Sequence, residues 1–385
     1  MNKAERILNT FRREDIDYLP SQITFADRTR NAEIAKGLGL KNEEDLDQHL
    51  ENHLDFLFLK YDKPLFLRND LELMRELQAE GVVGLDEDNK IVYDVWGMGI
   101  KIGEEGFYFC YSPFQGNKEA NKRAKPFIPP RFNLDLLDMP PAQAVKEFIP
   151  PDPLQKNNFE LLMQEAEMIK DNILPIPSGY FGIWERTNGM LGLSENLMLS
   201  LTSPEVVLEM YEKITDYKIK VARELIRLGF TVCHHGDDLA FQTSSFFSVD
   251  LYKKLLFPYH KKLFQVYRDA GVKLLYHSCG NITPFIPHLI KAGITALEPL
   301  QPCMDLNYLK ENFGPELVFM GGIDTQDLLP FGTPEDVKRH TREVINTLGK
   351  NGGYIIAPAQ EIMKDVPINN IVALIETIKK ERHNF

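Results

Sequence analysis

The chain has 385 residues, 43% of them hydrophobic, and a formal net charge of -12. An acidic chain lacks the basic surface that nucleic-acid binding requires, and no stretch approaches the ~20 apolar residues that span a bilayer. With four cysteines, too sparse for a disulfide framework, and no secretory signal before the first helical pattern, we expect a cytoplasmic protein with a small-molecule or protein partner.

The first half of the chain has an irregular, mainly helical pattern. The apolar spacing predicts helices over Ala4–Arg12, Arg30–Gly37 and Glu43–Leu57, with β-like stretches at Val82–Val83 and Lys90–Tyr93. Pro- and Phe-rich sequence from Pro126 to Pro153 predicts a covering loop. We therefore expect residues 1–85 to form a helical elaboration on a larger domain.

From Leu174 onward, apolar runs of strand length alternate with helical patterns. The predicted strands are Leu174–Gly182, Phe230–His235, Val272–Ser278, Ile294–Leu300, Leu317–Ile323 and Tyr354–Ala359. The predicted helices are Val249–Ala270, Ile282–Ala292, Leu306–Phe313, Pro334–Leu348 and Ile368–Glu381. This alternation predicts an α/β fold, a (β/α)8 TIM barrel over a single domain at 1–385. An open doubly wound sheet is the alternative.

In such a barrel the active site forms where the strands end, so polar residues just after each strand are candidates. The sharpest is the pair His277 and Cys279, because an imidazole and a thiolate two residues apart suit Zn2+. A zinc site with three protein ligands needs one more group, for which Glu298, Glu361 and Cys303 are candidates. A packed cysteine beside a hydrogen-bonded histidine is the alternative interpretation.

The second constellation is His234-His235-Gly236-Asp237-Asp238, in which Asp237 and Asp238 are paired carboxylates, with Asp324 after a later strand. Carboxylates of this kind act in acid–base chemistry or bind a cationic group, although a helix cap explains at least one of the pair. Other polar or aromatic residues near strand ends are candidates for substrate binding, with core packing or local ion pairing as the alternative. They are Tyr180, Trp184, Arg186, His235, Gln301 and Gln360.

With these residues laid out, the sequence resembles the uroporphyrinogen decarboxylase superfamily, which contains true decarboxylases and cobamide-dependent methyltransferases. The resemblance implies a (β/α)8 barrel. The stretches that carry it are Ala4–Leu8, Asp15–Pro20, Gly236–Gln242, Tyr276–Gly280, Glu298–Gln301, Gly321–Asp324 and Gly353–Ala359.

The methyltransferase branch is the more similar one, because His277 and Cys279 match its H-x-C zinc motif. True decarboxylases have an Arg- and Gly-rich segment where this chain keeps only Arg28 and Arg30, and a histidine where it has Gln360. The resemblance thus implies zinc and a corrinoid carried by a partner protein. Thiol-methylating members have a cysteine at the position of Gln360, so we expect methyl transfer from a small O- or N-methyl compound instead.

Two further hypotheses remain open. In the first, the chain is a uroporphyrinogen decarboxylase-like lyase that acts on a carboxylated substrate without metal, using Asp238 or Asp324. In the second, the barrel has lost its chemistry and only binds a ligand, since fold does not fix function.

Overall fold

The N-terminal part of the chain is mainly helical and also provides the first strand of the main sheet. The computed structural model describes residues 1–26, 28–103, 109–155, 157–179 and 181–385. The first five helices are α1 (Lys3–Arg12), α2 (Asn31–Gly37), α3 (Asp45–Leu50), α4 (Lys63–Phe66) and α5 (Leu71–Ala79). Strand β1 is Leu54–Phe58, between α3 and α4.

A small antiparallel sheet follows, and it lies outside the main sheet. Its strands pair in chain order: β2 (Gly84–Asp86), β3 (Ile91–Tyr93), β4 (Gly99–Lys101) and β5 (Phe109–Tyr111).

The predicted covering loop from Pro126 to Pro153 contains a 3-10 turn, Leu134–Asp138, and one short helix, and a further helix lies on either side of the region. The helices of this part are α6 (Lys118–Ala124), α7 (Pro141–Glu147) and α8 (Glu160–Met168).

The rest of the chain alternates strands and helices. The strands are β6 (Leu174–Gly179), β7 (Val232–Gly236), β8 (Lys273–His277), β9 (Ala296–Leu300), β10 (Val318–Ile323) and β11 (Tyr354–Pro358). The helices are α9 (Ile183–Leu191), α10 (Leu193–Thr202), α11 (Pro204–Arg227), α12 (Val249–Leu255), α13 (Phe257–Asp269), α14 (Ile286–Ala292), α15 (Leu306–Phe313), α16 (Leu328–Phe331), α17 (Pro334–Leu348) and α18 (Ile368–Glu381). Over the described residues, no helix combines the length and apolar character needed to cross a bilayer.

Seven parallel strands form one curled sheet in the order β1-β6-β7-β8-β9-β10-β11. An extended segment after α1 joins its two edges. The backbone N–H of Ile356 in β11 donates to Pro20, and that of His53, just before β1, donates to Ser21. The eighth position of the barrel is therefore filled, and the (β/α)8 expectation is confirmed. The alternative of an open doubly wound sheet is wrong, because such a sheet has two free edges.

The barrel interior is apolar at the end where the strands begin and polar at the end where they finish. Strand residues that point inward, such as Val232, Leu275 and Ala296, pack against Ile7 and Phe11 of α1. The helix α1 therefore closes the end at which the strands begin. Because α1 does not cover the end where the strands finish, side chains at that end can form a site.

One predicted helix is wrong in its second half. The sequence pattern predicts a helix over Glu43–Leu57, but α3 ends at Leu50 and β1 starts at Leu54. Glu51 has a left-handed backbone, with φ of 54°. Asn52 then exchanges two hydrogen bonds with the backbone of Ile23, of 2.8 and 2.9 Å. This tertiary contact redirects the chain into the barrel.

Candidate functional site

The ends of β7 and β8 bring three side chains of metal-ligand type together. His277 is the last residue of β8, and Cys279 follows two residues later. The Nε2 atom of His277 lies 3.5 Å from Sγ of Cys279 and 3.6 Å from Oδ1 of Asp238. Asp238 also accepts a 2.7 Å hydrogen bond from the backbone N–H of Cys279. We call these three residues the rim cluster.

Gly280 fixes the turn that carries Cys279. Its φ is +81°, and a Cβ at this position would overlap the carbonyl oxygen of Ala240. Its backbone N–H donates a 2.7 Å hydrogen bond to Oε1 of Gln301. The positive φ and the overlap with Ala240 both exclude a side chain at position 280, so the tight turn after Cys279 requires a glycine.

Two ligand-atom distances in the rim cluster are compatible with a tetrahedral zinc ion. Bond lengths of about 2.3 Å to sulfur and about 2.0 Å to nitrogen or oxygen, at tetrahedral angles, separate ligand atoms by about 3.3–3.6 Å. The two distances at Nε2 of His277 fall in or at the edge of that range. The third member is Asp238, which the sequence placed in acid–base chemistry.

Glu298 lies on the other side of the His277 ring. Its Oε1 is 2.6 Å from Nδ1 of His277 and 2.8 Å from Nε2 of His234, so Glu298 contacts the ring nitrogen that faces away from Cys279. His234, His277 and Glu298 make a second group of ligand type. The geometry nevertheless suits an outer partner, since metal-bound histidines commonly donate their other N–H to a carboxylate.

The charges of this region depend on one another. Burial by itself would raise the pKa of Glu298, but the facing His277 and His234 lower it to about 2. Burial would lower the pKa of His277, but Glu298 and Cys279 raise it well above its usual value. Burial raises the pKa of both Asp238 and Cys279. The cluster thus combines a buried imidazole with two half-buried acidic groups, and a bound cation would stabilise their ionised forms.

Two glutamines lie beside the Cys279 sulfur. The Nε2 atom of Gln360 lies 3.0 Å from Sγ of Cys279, and that of Gln301 lies 3.7 Å from it, so both can donate to a thiolate. Glu361 is exposed and lines a cavity near His277, outside the ligand-type groups found among the described residues. Cys303 is partly exposed and also lies outside those groups, so neither of these two expected third ligands belongs to the rim cluster.

Two cavities border the rim cluster, one through His277 and the other through Asp238. The inner cavity, of about 180 Å³, lies within the barrel mouth and includes His277 and Glu298 in its wall. The outer cavity, of about 360 Å³, includes Asp238 and Glu185. Among the described residues, neither wall contains an Arg or a Lys. The aromatic residues of the outer cavity are Phe109, Tyr111, Phe181 and Phe246.

Asp237 has the structural position of a helix cap, the alternative that the sequence left open for one of the two aspartates. Its side chain is fully buried, and it lines neither cavity. Its two oxygens accept 2.8 Å hydrogen bonds from the backbone N–H groups of Ile183 and Glu185, at the start of α9. His260 lies 2.8 Å from Oδ2. Asp237 therefore caps a helix of the neighbouring unit and places Glu185 on the cavity wall.

Asp324 and His235 are also not at the cluster. The oxygens of Asp324 accept hydrogen bonds from the backbone N–H groups of Gln326, Asp327 and Leu328, which makes it a local turn cap. His235 is buried and packs on Phe264 of α13, with ring centroids 5.2 Å apart. Adjacent strand residues point to opposite faces, so His235 points to the helices when His234 points into the barrel.

Arg186 and Trp184 are buried behind the cavity walls. Arg186 is fully buried, and its NH2 group donates a 2.8 Å hydrogen bond to Asp62. Trp184 packs edge-on against Phe247 at 4.7 Å. Neither lines the inner or the outer cavity, so substrate binding by these two residues stays a prediction that the structure does not support. Tyr180 lies outside the described residues.

Sequence reasoning assigned no site role to His234 or Glu185. The strand period places Val232 and His234 on one face of β7, and the structure shows that this face lines the barrel interior. The register of β7 and β8 pairs Gly236 with His277, which places His234 on the same inner wall as His277. No comparable signal marked Glu185, because Asp237 from another unit sets its position.

The known proteins similar to this chain include methyltransferases and a uroporphyrinogen decarboxylase of Wigglesworthia glossinidia brevipalpis, which is 24% identical over 118 residues, 31% of this chain and 32% of that protein. A methylated-thiol--coenzyme M methyltransferase of Methanosarcina mazei is 23% identical over 210 residues, 54% of each protein. The methylcobamide:CoM methyltransferase MtbA of Methanosarcina acetivorans is 24% identical over 182 residues, 47% of this chain and 51% of that protein. The chain thus spans about half the length of these two curated methyltransferases.

The fold has a counterpart along its whole length. A solved methyltransferase from Methanosarcina mazei has a TM-score of 0.62 at 15% identity, over 99% of both chains, which shows a common fold. Both curated methyltransferases agree with the methyltransferase branch that the motifs indicated. Residues 134–381 match the uroporphyrinogen decarboxylase (URO-D) family, and since they make up more than half of the chain, the chain belongs to that family.

Proposed function

We propose that this chain is a corrinoid-dependent methyltransferase that moves a methyl group between a small O- or N-methyl compound and a corrinoid carried by a partner protein. His277, Cys279 and Asp238 would hold a zinc ion for this reaction. The observation that carries the proposal is that the thiol of Cys279 and the carboxylate of Asp238 both lie within 3.6 Å of Nε2 of the His277 imidazole. The similarity to cobamide methyltransferases supports the corrinoid partner.

When bound, zinc supplies Lewis-acid polarisation of the heteroatom that carries the methyl group. The residues of the chain orient that chemistry. Glu298 holds the Nδ1 side of His277, so Nε2 remains directed at Cys279 and Asp238. The amide of Gln360 stabilises negative charge on the Cys279 sulfur, since an N–H donor lies 3.0 Å away.

The outer cavity suits a small methylated compound. It reaches the rim cluster through Asp238, and its aromatic rings offer apolar contact for methyl-bearing groups. Asn188 and Gln115 supply neutral polar groups that can fix an orientation. A polycarboxylated substrate would require cationic partners, and the described walls of both cavities have none, which supports methyl transfer over decarboxylation.

Elemental analysis and a methyl-transfer assay test the proposal. We expect about one zinc per chain, as in a three-ligand catalytic site, and loss of that zinc in Cys279→Ala. Cys303→Ala is the matched control and should retain it. Free cob(I)alamin, mixed with O- and N-methyl compounds and the zinc-loaded protein, should convert to methylcobalamin, measured by absorbance. Zinc retained in Cys279→Ala would refute the ligand assignment, and methyl transfer by fully metal-free protein would refute the role of zinc.

A further inference from the structure

We infer that His234 is a positioning residue for the rim cluster, acting through Glu298; this inference rests on the proposed zinc site. His234 touches neither Cys279 nor Asp238 in any contact described above. It belongs instead to a chain of hydrogen bonds that runs across four neighbouring strands. Ser178 Oγ lies 2.7 Å from Nδ1 of His234, and Nε2 of His234 lies 2.8 Å from Oε1 of Glu298.

The proton positions in this chain follow from what each group can donate. Oε1 of Glu298 lies within hydrogen-bond distance of two ring nitrogens, and a carboxylate oxygen can accept from both, whereas a single O–H could donate to only one of them. The Nε2 atom of His234 must therefore carry a proton and donate it. In a neutral imidazole the other nitrogen is then an acceptor, and the hydroxyl of Ser178 donates to it. Ser178 thereby selects the tautomer of His234 that can hold Glu298.

One carboxylate oxygen of Glu298 contacts two imidazole rings, those of His234 and His277. This oxygen, Oε1, contacts both Nε2 of His234 and Nδ1 of His277, and the two rings are nearly perpendicular, at 89°. Two donors from different strands fix the position of this buried oxygen. Because Nδ1 of His277 is bound to that oxygen, Nε2 is held towards Cys279 and Asp238. Removing the His234 donor would free Glu298 to rotate and would loosen the His277 ring.

Substitution of His234 by two amides separates this role from simple filling of space. The amide of glutamine reaches about as far as Nε2 of histidine, and the amide of asparagine about as far as Nδ1. His234→Gln thus keeps a donor for Glu298, whereas His234→Asn keeps only a partner for Ser178. Loss of an outer partner of a metal-bound histidine typically weakens metal binding by about 10–100-fold. We expect that loss in His234→Asn and an affinity close to wild type in His234→Gln.

The measurements are competitive zinc titration and the absorption spectrum of the Co2+-loaded protein. The spectrum reports the thiolate and imidazole ligands directly, and a purely structural role would leave it unchanged in every variant that folds. His235→Gln is the matched control, because His235 is the adjacent buried histidine on the opposite strand face. It should bind zinc as wild type does, and thermal unfolding should show that all variants are folded.

The outcomes distinguish this inference from the proposed function. Weak zinc binding in His234→Asn with recovery in His234→Gln supports the positioning role. If wild type, His234→Asn and His234→Gln all bind zinc equally, the positioning role is refuted and the zinc site stands. Equal weakening in both amide variants also refutes it, because the glutamine donor would then have no effect. If the wild-type protein binds no zinc, the metal site and the inference fall together.

Discussion

Oδ1 of Asp238 lies 3.6 Å from Nε2 of His277 and also accepts the backbone N–H of Cys279. One carboxylate oxygen thus faces the imidazole and holds the loop that carries the thiol. The side chain comes from the end of β7 and the other two from the end of β8, so the neighbouring strands assemble the group. This relationship leads to the first prediction.

Asp238→Asn should weaken zinc binding by at least about tenfold, because the amide keeps the side-chain size but removes the negative charge a metal ligand supplies. The acceptor for the Cys279 N–H is retained, so the loop should keep its shape. Competitive titration with a chelating dye measures the change. Asp324→Asn is the control, since its carboxylate caps a distant turn. Wild-type affinity in Asp238→Asn would remove Asp238 from the ligand set.

Gln360→Cys should tighten zinc binding. The Gln360 side chain is directed at the Cys279 sulfur, with its amide nitrogen 3.0 Å away, so the shorter side chain of a cysteine at this position would direct a thiolate towards a metal held by Cys279. A second thiolate adds a charged soft ligand, which zinc prefers to a neutral amide. Titration under reducing conditions measures the effect, with Gln301→Cys for comparison at its longer 3.7 Å distance. Unchanged affinity in Gln360→Cys would place the metal away from this side of Cys279.

Asp237→Ala should destabilise the fold by about 2–4 kcal/mol. The substitution leaves the backbone N–H groups of Ile183 and Glu185 without their acceptor, and a buried unpaired donor costs about 1–3 kcal/mol. Denaturation by urea gives the free energy of unfolding. Asp324→Ala should cost less, about 1 kcal/mol, because its turn is partly exposed. Equal losses in the two variants would contradict the assignment of Asp237 as a buried helix cap.

His53 should make the protein less stable in acid. Burial, followed by the charge of Arg6, lowers the pKa of His53 from 6.5 to about 3, so the folded protein holds it neutral. The unfolded chain binds a proton below pH 6.5, so stability is lost as the pH falls from 6.5 towards 3.

The loss from this one group should reach about 2 kcal/mol at pH 5, at 1.36 kcal/mol for each pH unit below 6.5. His53→Gln lacks the titrating group and should show a shallower decrease in unfolding free energy between pH 7 and pH 5. Urea denaturation at several pH values checks this. Parallel curves for wild type and His53→Gln would show that His53 is not held neutral by folding.

The sequence by itself determined the repeating units of the second half. The predicted strand at Val272–Ser278 contains β8, and the predicted helices Leu306–Phe313 and Pro334–Leu348 match α15 and α17 residue for residue. These predictions are correct because strand length, helix period and helix caps are local properties of the sequence. Thr333, for example, forms a capping box with Asp336 at the start of α17. The pair His277 and Cys279 was equally readable, because only Ser278 separates them.

Tertiary structure decided which other residues meet that pair. Asp238 and Asp237 are adjacent in sequence, yet the first faces His277 and the second caps α9, because consecutive side chains leave β7 in different directions. The same alternation along the strand directs His234 into the barrel and His235 towards the helices. A local pattern cannot say which face of a strand lines the barrel, since strands buried on both faces are apolar throughout. Only the closed sheet, with its fixed register between β7, β8 and β9, makes that choice.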